Sequence, residues 1–323
     1  MHRRNDNGET AAGAEEAHFR HEALFYAGED QFVDGTLPFI TSAVADEEPV
    51  LVVLCSERIA LLREVLGDGA ERVRFEDMHR LGRNPARIIP AWREFLDESA
   101  PEGRPVRGIG EPIWPGRSEA ELTECERHES LLNLAFGCGP AWRLLCPYDL
   151  DGLDEQVIDA ARRNHPFIAE DGGSCRSEQY LDSPGAPGPF DGTLPTPSTE
   201  VEELAFGREE LKKLRSSVAS RAAGLLLDAE RVEQLVLAVS ELASNSVRYG
   251  GGGGTLRMWT EPGTLVCEVR DCGRIAQPLA GRIRPTSDQY TGRGLWLVNH
   301  LCDLVQIRSS LTGNLVRVHM SMA

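Results

Sequence analysis

Hydrophobic positions in the first half of the chain alternate between short continuous runs and helical stripes. The apolar run over residues 49–55 is rich in branched residues, which is typical of a buried strand with helices over both faces. A helix is predicted to follow this run and to end at Gly67, because apolar residues recur there at helical spacing. Further strands are predicted at 73–75, 106–109 and 144–146, and further helices at about 87–98, 118–136 and 153–164. This alternation predicts an α/β domain.

The second half of the chain has long helical stripes followed by strand patterns. Apolar residues at spacings of three and four predict a helix over about 207–223, and Asp228 is predicted to cap a second helix. Strands are predicted at 255–261, 264–271, 304–309 and 315–321. Helices on one side of a mostly antiparallel sheet would make an α+β sandwich.

Composition separates these halves. Residues 171–199 are dense in Gly, Pro, Ser and Asp and contain five prolines, so we predict a semi-extended linker there. Residues 1–17 are polar without a core-forming pattern and are predicted to be a disordered leader. The predicted domains are therefore 18–170 and 200–323.

Charge and length exclude some classes of function. The 323 residues include 34 basic and 51 acidic side chains, a net charge of −17, which would repel a nucleic acid backbone. No apolar run is long enough for a membrane span, and no signal core follows the first residues, so we expect a cytoplasmic protein. The eight cysteines form no C-x-x-C pair, which disfavours a zinc ribbon and predicts reduced thiols.

Three elements of the second half carry candidate chemistry. Glu241 and Asn245 are four residues apart and so share one face of a predicted helix. The next predicted strand pair ends at Asp271, and Gly273 follows it, where a glycine lets backbone approach a ligand. The turn Gly292-Arg293-Gly294-Leu295 opens a helix whose free N–H groups suit a phosphate.

In this order, over residues 200–323, these elements resemble the GHKL ATPases and, within them, the anti-sigma factor serine kinases. The resemblance implies a Bergerat-type α+β sandwich that uses ATP and Mg²⁺. It implies that Asn245 holds Mg²⁺, Asp271 accepts a hydrogen bond from the adenine amino group, and Glu241 is the general base. It also implies that Gly273 lies close to the base. The remaining implied ATP-binding residues are Gly292, Arg293, Gly294, Leu295 and Gly313.

Three positions depart from the family pattern. Tyr249 stands where the family often has His, and Ser246 stands where it often has Ala. Trp296 stands where sensor histidine kinases prefer Gly, which favours the anti-sigma branch.

The first half resembles the MEDS sensory domain over residues 18–170. The motifs that carry this resemblance lie at 21–26, 82–85, 107–117, 128–133, 146–149 and 165–166. It implies an α/β sensory fold with a RecA-like sheet, and no P-loop motif follows the run at 51–55. Arg107, Glu111 and Arg117 crowd around Gly and Pro near a predicted strand end, which indicates a sensory pocket for a small-molecule signal.

Other polar residues of this half have simpler interpretations. His18 and His21 could share a metal ion, but without a third ligand in view a surface pair is favoured. Acidic residues recurring along one predicted helix indicate a solvated face: Glu121, Glu124, Glu126 and Glu129. Trp92, Trp114 and Trp142 could line a pocket or pack in a core.

The resemblances predict an ATP-dependent serine/threonine kinase that is also an anti-sigma factor. It would sequester a sigma factor and phosphorylate a STAS-type antagonist protein, under control of the sensory domain, with a homodimer left open. The acidic charge suits a basic partner such as a sigma factor. One alternative is a sensor histidine kinase with His128 as phosphoacceptor, although no long helical hairpin precedes Glu241. Another is a catalytically silent ATP-binding regulator.

Overall fold

The computed structural model describes residues 19–100, 103–137, 141–170, 173–181, 190–225, 228–286 and 292–322. The chain divides into two units: the first comprises the described residues up to 80 and within 92–181, and the second comprises Leu81–Ala91 and the described residues from 190 onward. The predicted leader at 1–17 and part of the predicted linker, 182–189, lie outside the described residues.

A seven-stranded sheet forms the centre of the first unit. Its strands are β1 (Arg20–Tyr26), β2 (Val50–Leu54), β3 (Val73–Asp77), β4 (Val106–Gly110), β5 (Trp142–Asp149), β6 (Phe167–Glu170) and β7 (Gly173–Arg176). Their order is β3-β2-β4-β5-β1-β6-β7, and every neighbouring pair is parallel except β6 and β7. Parallel neighbours require crossover connections, which this part of the chain supplies as helices.

The helices of the first half alternate with these strands. They are α1 (Gly28–Ala45), α2 (Ser56–Leu66), α3 (Met78–Leu81), α4 (Ile88–Ser99), α5 (Glu119–Phe136) and α6 (Glu155–Asn164). Every residue of β2 is buried, as expected for a central strand covered on both faces. The predicted α/β fold is thus confirmed.

A five-stranded antiparallel sheet and three helices form the second unit's sandwich. The strands are β8 (Glu202–Gly207), β9 (Gly253–Glu261), β10 (Thr264–Asp271), β11 (Leu304–Ser310) and β12 (Gly313–Ser321), in the order β11-β12-β10-β9-β8. The helices are α7 (Leu211–Gly224), α8 (Ala229–Tyr249) and α9 (Arg293–Leu301). Buried apolar residues from the helices and the sheet form one core. This is the predicted α+β sandwich.

Two segments differ from the sequence-based expectation, and the elements β1, α1, α3 and β6 were not predicted. Residues 202–207 form β8, and the following helix begins at Leu211, whereas the pattern predicts a helix from 207. Residues 173–176, predicted to be linker, form β7 and pair with β6. Backbone pairing with a neighbouring strand overrides the local sequence pattern in both cases: β8 pairs with β9, and β7 pairs with β6, which directly precedes it.

The described end of the predicted linker is also bound to structure. The Phe190 carbonyl accepts a hydrogen bond from the Ser309 N–H at 3.2 Å. The Pro195 carbonyl accepts one from Arg317 at 3.0 Å, and the Thr199 hydroxyl donates to the Thr260 carbonyl at 2.9 Å. Residues 190–199 therefore belong to the second unit rather than forming a free tether.

None of the described helices combines the length and apolar character that a membrane span needs. Within the described residues, seven cysteines are present and all are free thiols.

Candidate functional site

A cavity of about 730 Å³ opens in the second unit beside α8, the end of β10 and the start of α9. Five of the residues singled out in the sequence line it: Asn245, Asp271, Gly292, Gly294 and Leu295. Its volume is in the range that holds a small organic ligand.

Asp271, the last residue of β10, is held by three donors. The Ser246 hydroxyl donates to Oδ2 at 2.7 Å. The Gly273 N–H and the Asn314 side-chain amide donate to Oδ1 at 2.8 and 3.0 Å. A carboxylate has about four lone-pair sites, so one acceptor site on Oδ2 is left for a ligand in the cavity.

Ser246 and Asn314 are therefore part of the site, although no sequence pattern indicated a role for either. Ser246 stands where similar proteins often have Ala, and its hydroxyl orients Asp271. Asn314 also accepts hydrogen bonds from the Ile275 N–H and the Ser309 hydroxyl, which fixes its amide orientation. Its position directly after Gly313 was the one local signal that could have identified it.

Gly313 allows two backbone segments to come together behind Asp271. Its φ is +135°, and a Cβ at this position would lie 2.2 Å from the Asp271 carbonyl oxygen. No other residue type fits, because both the backbone angle and the space exclude a side chain. Gly313 therefore shapes the site by backbone approach.

Glu241 and Asn245 meet Gly294 at the start of α9. A Cβ on Gly294 would lie 3.0 Å from both Glu241 Oε2 and Asn245 Nδ2. Glu241 is not among the cavity-lining residues, but its carboxylate lies next to Gly294, which is one of them. The predicted pair on one helix face is therefore next to the glycine-rich turn.

The N-terminus of α9 lies at this cavity, which Gly292, Gly294 and Leu295 line. Gly292 is the N-cap residue with φ of +85° and makes no side-chain cap, and Arg293 is the first helical residue. The Arg293 side chain donates to the Thr286 carbonyl at 3.3 Å. The backbone N–H groups of a helix N-terminus and the positive end of the helix dipole suit an anionic group such as a phosphate.

The structure separates two of the three residues predicted to form a sensory pocket. Arg107 lies near the start of β4, where it bonds Glu48 at 2.6 Å, the Ser42 hydroxyl at 2.6 Å and the Phe39 carbonyl at 3.1 Å. Glu111 follows the other end of that strand. Four residues of extended chain span roughly 13 Å, so Arg107 and Glu111 do not converge.

Glu111 and Arg117 have partners of their own. The Tyr26 hydroxyl donates to Glu111 at 2.7 Å, and burial raises the pKa of this carboxyl to about 7. Arg117 donates to the Pro112 carbonyl at 2.7 Å, and its guanidinium lies 3.6 Å from the centroid of the Trp114 ring. A sensory pocket at the Glu111 end of the strand remains a prediction.

Two simpler interpretations of the first half were wrong. His21 is fully buried rather than on the surface, and His18 lies outside the described residues. Glu124 and Glu129 are buried, so the acidic residues of α5 do not all form a solvated face. Trp92 and Trp142 are also buried, with ring centroids 5.6 Å apart, so both pack in the core.

Two known families match separate parts of the chain. The family described as MEDS, the methanogen/methylotroph DcmR sensory domain, matches residues 20–166. The family described as the histidine kinase-like ATPase domain matches residues 205–320. No curated protein matches the chain.

Two solved structures are similar to part of this chain. The RsbU and RsbW domains of a Mycobacterium tuberculosis protein are 16% identical over 38% of this chain and 32% of that chain, with a TM-score of 0.30. The Acinetobacter baumannii histidine kinase AdeS is 15% identical over 38% of this chain and 69% of that chain, with a TM-score of 0.24. This chain thus spans about a third of the first structure's length. Residues 20–166 are a MEDS domain, and residues 205–320 are a histidine kinase-like ATPase domain of the GHKL type.

Proposed function

We propose that the second unit binds ATP with Mg²⁺ and acts as a protein serine/threonine kinase and anti-sigma factor. The observation that carries this proposal is the convergence on one cavity of Asp271, Asn245 and the N-terminus of α9. The residues fit the ligand: Asp271 has an acceptor site left for an amino group, and Asn245 offers a carboxamide oxygen of the kind Mg²⁺ binds.

Each group has a defined task in this proposal. Asp271 accepts the hydrogen bond from the adenine amino group, and the N–H groups at Gly292–Gly294 receive the phosphates. When bound, Mg²⁺ neutralises charge on the phosphate oxygens. Glu241 accepts the proton of a serine or threonine hydroxyl as the γ-phosphoryl group is transferred.

The proposed protein substrate is a STAS-type antagonist, and the proposed sequestered partner is a sigma factor. The net charge of −17 supports a basic, nucleic-acid-binding partner over a nucleic acid itself. The MEDS domain would regulate the kinase in response to a small-molecule signal.

One observation argues against the sensor histidine kinase. His128, the residue that resembles a phosphoacceptor, is about 1% exposed within α5 of the first unit. A phosphoacceptor imidazole must reach the γ-phosphate of ATP, and a buried histidine cannot do so.

The proposed activity is tested with γ-labelled ATP, Mg²⁺ and candidate antagonist proteins. We expect acid-stable phosphate on serine or threonine of the antagonist. Acid-labile phosphate on histidine would support the histidine kinase instead, and ATP binding without transfer to any candidate would support the silent regulator.

Glu241→Ala tests the proposed general base in the same assay. Loss of a general base should lower the transfer rate by about a hundred- to ten-thousandfold. The matched control is Glu233→Ala, an exposed position on the same helix, which should keep the wild-type rate. Equal rates in the two variants would show that Glu241 has no part in the chemistry.

A further inference from the structure

Four potential metal ligands meet inside the first unit, away from the proposed ATP site. They are His21 on β1, Glu129 on α5, Cys146 on β5 and His165 directly after α6. All four are buried, and their ligand atoms all lie within 4.8 Å of one another. The proposed kinase mechanism uses none of them.

The fold explains why residues so far apart in sequence converge. Strands β1 and β5 are parallel neighbours in which Ala23 lies opposite Cys146, and His21 is on the same face as Ala23. His165 leads into β6, which pairs with the other side of β1. Helix α5 brings Glu129 to the group.

The distances between ligand atoms suit a tetrahedral ion. Glu129 Oε2 lies 3.0 Å from His21 Nε2 and 3.3 Å from His165 Nε2. Cys146 Sγ lies 3.4 Å from His21 Nε2. Zinc bonds of roughly 2.0–2.3 Å in tetrahedral geometry place ligand atoms about 3.3–3.8 Å apart, so only small shifts are needed.

Neighbouring groups orient both imidazoles toward the centre. Asn133 Nδ2 donates to the Asn164 carbonyl, so its Oδ1 is turned to His21 Nδ1 at 3.1 Å. His165 Nδ1 lies 2.8 Å from the Ala161 carbonyl. Because both of these oxygens accept, both Nδ1 atoms carry a hydrogen, and in the neutral imidazoles each Nε2 atom then presents a lone pair.

Hydrogen-bond acceptors therefore surround the centre of this cluster. With both Nε2 atoms as acceptors, Glu129 Oε1, Glu129 Oε2 and His165 Nε2 have no hydrogen-bond partner among the described residues. With Glu129 ionised, the Cys146 thiol is the one donor among the four residues, and one hydrogen cannot serve all of these atoms. Buried polar atoms are almost always paired, so the arrangement calls for a cation.

We propose that His21, Glu129, Cys146 and His165 bind one Zn²⁺ ion. Two imidazoles and a thiolate favour zinc over Mg²⁺ and Ca²⁺, which take oxygen ligands. The thiolate and carboxylate together balance the charge of the ion, which suits a buried position. Four protein ligands leave no open coordination position, so this is a structural site that ties β1, β5, α5 and the start of β6 together.

Metal analysis of the full-length chain, without nucleotide, tests the proposal. We expect one equivalent of zinc per chain after loading with Zn²⁺ and removal of excess. We also expect that the metal-free chain, titrated with Co²⁺, gains a thiolate-to-metal charge-transfer absorption. A wild-type chain that takes up no ion, or a Co²⁺ spectrum without that absorption, would overturn the site whatever the variants do.

Two cysteine variants identify the ligand. Cys146→Ser should lose the charge-transfer absorption, whereas Cys125→Ser, another fully buried cysteine of the same unit, should keep it. Asn133→Ala keeps all four ligands and should weaken zinc affinity by about 10- to 100-fold through loss of imidazole orientation. If Cys146→Ser retains the absorption, or if Asn133→Ala binds zinc as tightly as the wild type, the assignment is wrong. Because none of these measurements uses ATP, failure here leaves the proposed kinase function standing.

Discussion

Replacing Asp271 by Asn is the sharpest test of where a nucleotide base would bind. The change keeps the size of the side chain and removes its charge. The Gly273 N–H and the Asn314 amide both donate to Oδ1, so the Asn oxygen must take that position. Its amide nitrogen then faces Ser246 and the cavity.

The expected loss of nucleotide affinity follows from the number of acceptor sites on the Asp271 carboxylate. Three of about four are used within the protein, so the ligand forms one charge-assisted hydrogen bond, which contributes about 1.5–3 kcal/mol or roughly ten- to a hundredfold in affinity. In the variant, an amide N–H points at the adenine amino group, and two donors oppose each other. We therefore expect a loss near the upper end, about a hundredfold.

The fold should survive this change. The Asn oxygen keeps both donors on that side, and the Ser246 hydroxyl can accept from the new amide while donating to the Leu242 carbonyl, 3.1 Å away. Circular dichroism and thermal unfolding check this expectation.

Titration calorimetry with Mg²⁺ and a non-hydrolysable ATP analogue measures the affinity. The matched control is Asp228→Asn, which makes the same chemical change in the same unit. Asp228 caps α8 by accepting from the Arg231 N–H at 2.8 Å, and Asn caps equally well. An unchanged affinity in folded Asp271→Asn would refute the assignment of the base to this carboxylate.

The remaining predictions concern catalysis, pH and backbone space. Glu241→Ala should bind the ATP analogue like the wild type in calorimetry, because a general base is needed for transfer and not for binding; a large loss of affinity would make Glu241 a binding residue. Since burial raises the pKa of Glu111 to about 7, ionisation lowers the stability of the native state as pH rises from about 4.5 to 7. Glu111→Gln should therefore stabilise by about 1 kcal/mol at pH 5 and about 3 kcal/mol at pH 8 in urea unfolding, and a gain that does not grow with pH would contradict this. Gly313→Ala should lower the melting temperature. Gly263 also has a positive φ but open space around it, so Gly263→Ala should lower the melting temperature less. Equal losses in the two variants would show that the backbone angle alone determines the loss of stability.

Local sequence signals were sufficient to predict the helices and strands whose apolar residues follow a regular pattern. The apolar run of β2 and the helical stripe of α8 both predict their elements closely. The spacing of Glu241 and Asn245 on α8 likewise places them together against Gly294. In each case, the residues that form the pattern lie within a single helix or strand.

Elements that bury charge were missed because their partners are distant in sequence. Strand β1 contains His21 and Glu22, both fully buried, which no strand pattern predicts. Glu22 is stabilised there by an ion pair with Arg143 at 2.7 Å, 121 residues away. The role of Asn314 and the cluster around Glu129 were invisible for the same reason, since only the sheet brings their members together.

The hydrogen bond from Ser309 to Phe190 lies on the outer strand of the second sheet. Among the described residues, β11 pairs with β12 on one side and with no strand on the other. An open strand edge can recruit another polypeptide by backbone pairing. Phe190 occupies one of these edge donors and packs its ring against the sandwich core. A shortened chain that begins at residue 200 would uncover that edge and an apolar surface together, and it should aggregate more readily than the whole protein.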